Sequence, residues 1–163
     1  MKIKNIYIDI FFIALAIFIS IYAREAFVDF SGAFVYFFFE GNRILTTNDA
    51  YHFATATKDL INGNIDDAFY PIASFEMPSI ISAIFYYILP FSIDNLFFFL
   101  PIILSSLVAI PIYLLAKDMT NQYFALFAAI LVPLSIGYSN RTPGGYYDTD
   151  MLILFFPVFG VYF

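Results

Sequence analysis

The chain has 163 residues, 62% of them apolar, 22% aromatic and only 12% charged, a balance outside that of soluble globular domains and suited to a lipid solvent. Its formal net charge of -6 comes from scattered acids rather than a run, which argues against a nucleic-acid partner and a disordered acidic tail. It has no cysteine, so disulfides, thiolate catalysis and zinc-thiolate sites are excluded, and any metal must use oxygen ligands or His52.

The first element is an apolar run over 6–23 behind Lys2 and Lys4. It imitates a secretory signal, but Arg24 and Glu25 follow where small residues would mark a cleavage site, so an uncleaved anchor is expected. Asp9 lies in this run. Acids within a span are functional candidates by default, yet its nearness to the inner end predicts a solvated position.

Thr46, Thr47, Asn48 and Asp49 precede a helix expected over 50–62 and closed by Gly63, with Phe53, Ala54, Thr57, Leu60 and Ile61 near one face. Either Asn48 or Asp49 simply caps this helix and meets the positive end of its dipole, or Asp49 carries chemistry. His52, three residues after Asp49, shares its face and reads more readily as a structural donor than as a ligand.

The stretch 77–91 is short and bracketed by Pro78 and Pro90, which predicts a helix lying outside the bilayer core. Runs over 94–116 and 122–139 can cross a bilayer on length, given the ~20 residues a span needs, and Pro101, Pro111 and Pro133 predict kinks within them. A fourth run starts at 151 and reaches 163 without a polar flank, so the sequence reads as a fragment ending inside a helix. External loops then comprise 24–93 and 140–150. Counting Asp94 with the loop it borders, every acid except Asp9 and Asp118 falls outside, while Lys2, Lys4 and Lys117 fall inside, in line with the positive-inside tendency. Asp49 thereby shares a membrane face with Asp148 and Asp150. The fold class expected is all-α, a multi-pass transmembrane helical bundle.

The segment 140–150 reads Asn-Arg-Thr-Pro-Gly-Gly-Tyr-Tyr-Asp-Thr-Asp. Pro143, Gly144 and Gly145 mark a turn. Asp148 and Asp150, two residues apart, point the same way in extended chain and diverge on a helix, so a loop lets them grip one cation. Such carboxylates suit Mg2+ or Mn2+; the alternative is two hydrated acids at a membrane surface. Arg141 either pairs with these acids or binds a diphosphate, for which its planar fork is suited. Tyr146 and Tyr147 read as belt aromatics at the interface. Asn140-Arg141-Thr142 fits a glycosylation acceptor, a coincidence so close to a span.

Three stretches, TTNDAYHFATATKDLINGN, LPFSIDNLFFFLPIILSSLVAIPIYLLAKDM and SNRTPGGYYDTDML, in this order and spacing, resemble the N-terminal part of the oligosaccharyltransferase catalytic subunit, most closely the bacterial single-subunit PglB type. The resemblance covers the chain from about Arg24 onward. It implies a GT-C-like glycosyltransferase fold in the cell inner membrane with its active site on the periplasmic side. It also implies transfer of a glycan from a polyprenyl-diphosphate-linked oligosaccharide to the asparagine of an acceptor polypeptide with an N-x-S/T sequon. By the same resemblance Asp49, Asp148 and Asp150 contribute to a Mn2+ or Mg2+ site, Asp49 also contacts the acceptor amide, and Arg141 matches the family arginine. His52 and Pro143 depart from the bacterial pattern.

The family adds a glutamate from a later external loop and a Trp-Trp-Asp motif in a soluble C-terminal domain. This chain has no tryptophan, so the 163 residues alone are expected to be inactive while the parent protein is an enzyme. Two other readings compete with this one. Another polyprenyl-linked sugar transferase would use the external acids as a base. A transporter fragment would carry its acids within spans along a path, whereas here nearly all lie between spans.

Overall fold

A computed structural model describes residues 3–31, 38–40, 42–65 and 70–162. Lys2 and Phe163, which entered the orientation and the last expected span, lie outside the described residues, as does the side chain of Lys4.

The chain opens on one long helix, α1 (Ile3–Ser31), which continues well past the expected end at 23. Nothing stops it earlier, because Gly32 is the first glycine or proline in the sequence. From Ala16 the buried positions step by four through Ser20 and Arg24 to Val28, with Asp9 buried further up. Tyr7, Phe11, Phe18, Tyr22 and Phe30 are exposed. Hiding polar groups and presenting aromatic ones inverts the pattern of a water-facing helix and is what a lipid solvent permits.

A short antiparallel hairpin of β1 (Phe38–Phe39) and β2 (Asn42–Arg43) leads into α2 (Asn48–Asn62). The helix is capped by Thr47, whose Oγ1 accepts from the Ala50 N–H at 3.1 Å, and not by Asn48 or Asp49 as expected. Both of those are already helical, which puts Asp49 in the first turn at the positive end of the dipole. Gly63 closes the helix with φ 72, a conformation that favours glycine.

After a 3-10 turn at Ala73–Phe75, α3 (Met77–Ile88) packs on α2 and α4 (Ile93–Ser106), burying Ser79, Ser82 and Ala83 and exposing Ile84, Tyr87 and Ile88. Pro101 sits inside α4 without ending it. The break comes instead at Leu107, just before α5 (Ala109–Met119). Pro111 has no N–H to give the Leu107 carbonyl, which takes the Ile110 N–H at 2.9 Å, one residue short of the helical donor. Taken together Ile93–Met119 has 27 residues and, with the 25 residues of Ile6–Phe30 in α1, is long and apolar enough to cross a membrane by length and composition.

The stretch 122–139 is not one helix. It divides into α6 (Gln122–Leu131), capped by Asn121, and the single turn α7 (Ile136–Ser139). Pro133 explains the division: Val132 still has helical geometry and donates to the Ala128 carbonyl at 3.0 Å, but Pro133 has no N–H with which to continue α6. A 3-10 turn, Thr149–Leu152, then leads to α8 (Phe155–Tyr162).

Among the described residues three apolar clusters hold these elements, the smallest pairing Val28 of α1 with Phe98 of α4. One joins Phe53 and Ala54 of α2, Phe97 and Leu100 of α4, and Tyr147 and Met151 of the late loop. Another joins Tyr113 of α5 to Ala16 of α1 and to Ala125 and Ala129 of α6, the alanines letting the helices approach closely. Beside this second cluster Asp9 is 6% exposed, against the solvated position expected for it. The Tyr113 hydroxyl donates to one of its oxygens at 2.7 Å and the Lys117 ammonium to the other. Lys117, expected to mark the inner face, therefore neutralises an acid of α1.

Candidate functional site

The segment 140–150 is a folded loop with its own supports. Tyr146 N–H donates to the Pro143 carbonyl at 3.2 Å, closing a four-residue turn with Gly145 at its third position and φ 78 there, the geometry of a type II turn. Gly144 lies flat on the ring of Phe98, where an added Cβ would come within 2.6 Å of Cε1. A Cβ on Gly145 would stand 2.6 Å from the Ile44 carbonyl oxygen. The glycines are thus needed for close approach as well as for the turn. Gly145 N–H donates to the Phe98 carbonyl at 3.1 Å, and its own carbonyl accepts from the Thr46 N–H at 3.0 Å. This last bond joins the loop to the segment that enters α2, so the strands of chain bearing Asp49 and Asp148 are direct neighbours.

Of the three acids, Asp49 is exposed on the first turn of α2. Asp148 is half-buried and extended, and its Oδ1 accepts from Thr149 Oγ1 at 3.1 Å while capping the following 3-10 turn. Asp150 is inside that turn and 6% exposed. The two late acids are therefore not carried on extended chain, as their spacing suggested. A 3-10 turn begins between them, and each carboxylate has a separate polar partner.

The partner of Asp150 is Arg141, whose Nε donates to Oδ2 at 2.7 Å. Of the two roles open to Arg141, pairing with the acids is the one adopted. Its guanidinium is exposed, and the Asp150 carboxylate beside it, then Tyr146, push its pKa above the ordinary arginine value. By donor type the acids fit a hard divalent cation. Among the described residues, however, no group of three or more His, Cys, Asp and Glu side chains lies close enough to hold one.

His52 faces away from a purely polar setting. Its ring centroid lies 3.9 Å from that of Tyr70 and 5.3 Å from that of Phe53, so it packs among aromatics beside the 3-10 turn. Tyr147 overturns the belt reading, because it is fully buried. Its hydroxyl lies 3.0 Å from Thr57 Oγ1 of α2 and 2.6 Å from Ser82 Oγ of α3, and donates to the Pro78 carbonyl at 2.8 Å. Burial pushes this phenol up to about 12, against a smaller opposing effect of the Ser82 and Thr57 hydroxyls. Tyr146 stays partly exposed.

Arg24 is the residue that the sequence alone passed over, read there as a sign against cleavage and as the first residue of an external loop. Its guanidinium is 2% exposed and spends its N–H groups on Thr142, Pro133 and Ser20. The signal that points to it is the four-residue spacing of Ala16, Ser20, Arg24 and Val28 within an apolar helix. Thr142, buried in this contact, is no glycosylation-site hydroxyl on open chain.

Residues 10–163 match the family model for oligosaccharyl transferase STT3, N-terminal. The chain is 36% identical over 163 residues to the undecaprenyl-diphosphooligosaccharide–protein glycotransferase of Campylobacter jejuni, a match covering 98% of this chain and 22% of that protein. The same enzyme from C. jejuni strain RM1221 is also 36% identical, with the same coverage. Over 51 residues, 31% of this chain and 7% of the relative, it is 39% identical to the dolichyl-diphosphooligosaccharide–protein glycosyltransferase subunit stt-3 of Caenorhabditis elegans. The chain thus spans about a fifth of the length of the Campylobacter relatives it matches, 22% in each case.

Proposed function

The chain belongs to the oligosaccharyl transferase STT3 family, and from this we propose that the protein containing it moves an oligosaccharide from a polyprenyl-diphosphate lipid to the amide of an acceptor asparagine. The observation that carries the reading is the near-complete alignment with relatives whose names state this donor and a protein acceptor, together with the hydrogen bond from Thr46 to Gly145 that makes the acid-bearing segments neighbours. The chain is read as the N-terminal part of a multi-pass bundle in the inner membrane. Asp49 and the loop 140–150 face the periplasm in this reading, and α3 lies outside the bilayer core.

The chemistry explains the choice of carboxylates. An amide nitrogen is a weak nucleophile because its lone pair is delocalised, and carboxylates that accept its hydrogens free that pair to attack the anomeric carbon. Asp49 is suited to this work, being exposed at the first turn of α2 with its carboxylate held at the dipole's positive end. Asp148 and Asp150 are the further oxygen donors, and Arg141 holds Asp150 by its Nε. Asp49, Asp148 and Asp150 are the residues that would hold a Mn2+ or Mg2+, which would supply positive charge against a leaving diphosphate. The exposed guanidinium of Arg141 adds a second cationic group on the same side.

The test is transfer by the full-length protein, given a polyprenyl-diphosphate oligosaccharide and a fluorescent peptide with an N-x-T sequon. Glycopeptide should form, should vanish when the acceptor Asn is replaced by Gln, and should fall at least about a hundredfold in Asp49→Asn and Asp150→Asn. Transfer to lipid or monosaccharide acceptors with none to peptide would instead identify another polyprenyl-linked sugar transferase.

A further inference from the structure

The guanidinium of Arg24 is buried, and among the described residues its hydrogen-bond partners are neutral. Nε donates to the Thr142 carbonyl at 3.2 Å and to Thr142 Oγ1 at 3.3 Å. One Nη donates to the Ser20 carbonyl at 3.3 Å and to Ser20 Oγ at 2.5 Å, and the other to the Pro133 carbonyl at 2.8 Å and to Thr142 Oγ1 at 3.0 Å. Its charged carbon also lies 5.6 Å from the centroid of the Tyr138 ring. Burying a guanidinium is unfavourable unless its donors are met with good geometry, and here three separated segments converge to meet them.

Those segments are informative. Ser20 belongs to α1 itself, Pro133 is the residue that splits 122–139 into two helices, and Thr142 immediately follows Arg141. Thr142 Oγ1 in turn donates to the Tyr138 carbonyl at 2.8 Å, locking the residue before the turn to the end of α7. Of the late acceptors of Arg24, Thr142 lies on the loop that carries Arg141, Asp148 and Asp150, and Pro133 lies at the break ahead of α7, the helix that leads into that loop. Beyond Thr142 the same loop is fixed at Gly145 by the Phe98 carbonyl and at Tyr147 by Ser82. Its first half is held by Arg24 and Tyr138.

We propose that Arg24 is a positioning residue for glycan transfer: it acts through Thr142 to set where Arg141, and through it Asp150, stand at the site. This rests on the functional reading above. It assigns Arg24 no contact with donor or acceptor, only the geometry of groups that make such contacts.

The test uses the full-length protein with Arg24→Met, which keeps bulk and removes donors, Arg24→Lys, which keeps charge, and Thr142→Val, which removes the shared hydroxyl. Two readouts are taken, steady-state transfer to acceptor peptide and hydrogen exchange resolved over 142–148. Arg24→Met should lower kcat about ten- to a hundredfold with peptide KM changed less than about threefold. Exchange should rise over 142–148 while α4 stays protected. Thr142→Val should give a smaller change of the same kind, and Arg24→Lys should recover part of the lost kcat.

Unchanged kcat in Arg24→Met, or exchange rising equally throughout the chain, overturns the proposal by reducing Arg24 to general stability. If Arg24→Met does not accumulate, Thr142→Val decides alone, and wild-type kcat and exchange in it overturn the proposal too. Failure of the unsubstituted protein to glycosylate peptide sinks the functional reading instead, and the exchange pattern still reports whether Arg24 holds the loop.

Discussion

The Tyr147 hydroxyl lies 2.6 Å from Ser82 Oγ, across 65 residues of sequence. Because the same oxygen is 3.0 Å from Thr57 Oγ1, one phenol fastens the loop before Asp148 to both α3 and α2, the helix whose first turn bears Asp49. The relative placement of early and late acids thus depends on a tyrosine placed between a glycine turn and an aspartate.

Tyr147→Phe should lower stability by about 1–2 kcal/mol, a modest loss because Thr57 and Ser82 keep their carbonyl partners at Phe53 and Pro78. The substitution should also alter the pH response. The folded phenol is pushed up to about 12, whereas in the unfolded chain it ionises near ~10. The contribution of Tyr147 is therefore complete below pH ~10 and is lost as pH climbs towards ~12. Thermal unfolding in detergent across this range should show a shallower alkaline decline in Tyr147→Phe than in the parent, and equal slopes would refute the assignment.

Removing either member of the Asp9–Lys117 pair leaves a charge among apolar helices. Lys117→Met or Asp9→Leu should each cost near the lower end of about 3–5 kcal/mol, since the Lys117 side chain keeps 25% of its surface open. The double variant should lose distinctly less than the sum. A double-mutant cycle on thermal stability measures this, and strict additivity would show that the pair is not coupled.

At Gly145 the obstacle to a side chain is the Ile44 carbonyl oxygen, together with φ 78. At Gly144 it is the movable ring of Phe98. Gly145→Ala should therefore destabilise by about 1–3 kcal/mol and resist rescue. Gly144→Ala should be partly restored by Phe98→Leu. Comparing the melting temperatures of Gly144→Ala and Gly145→Ala, each with and without Phe98→Leu, distinguishes backbone strain from side-chain crowding.

Arg141→Lys retains charge but loses the Nε that holds Asp150, so transfer should fall about tenfold or more. Arg141→Met should fall further. Initial rates with saturating peptide decide the matter, and full activity in Arg141→Met would remove this arginine from the site.

Much of this arrangement could be read in the residues. Gly63 announces the end of α2, Pro143-Gly144-Gly145 announces the turn, and the apolar runs announce α1 and the α4–α5 stretch. What escaped were the partnerships. Tyr147 looks like an interfacial aromatic because nothing near it in sequence reveals Thr57 or Ser82. Asp9 looks solvated because Lys117 is 108 residues away. Arg24 looks like a loop residue because helix-ending signals, not charge, decide where α1 stops. Such long-range pairings leave only an indirect trace, such as Ser20 and Arg24 four residues apart on the buried face of an otherwise apolar helix.

That trace has a consequence for biogenesis. The acceptors of Arg24 at Pro133 and Thr142 lie 109 and 118 residues downstream, so a ribosome working at ~5–20 residues per second delivers them on the order of ten seconds after Arg24 itself. During that interval the first helix holds a cation whose final ligands have not yet been synthesised. Insertion and assembly of this segment are therefore separate events in time, and the nascent helix needs temporary solvation until the later chain arrives.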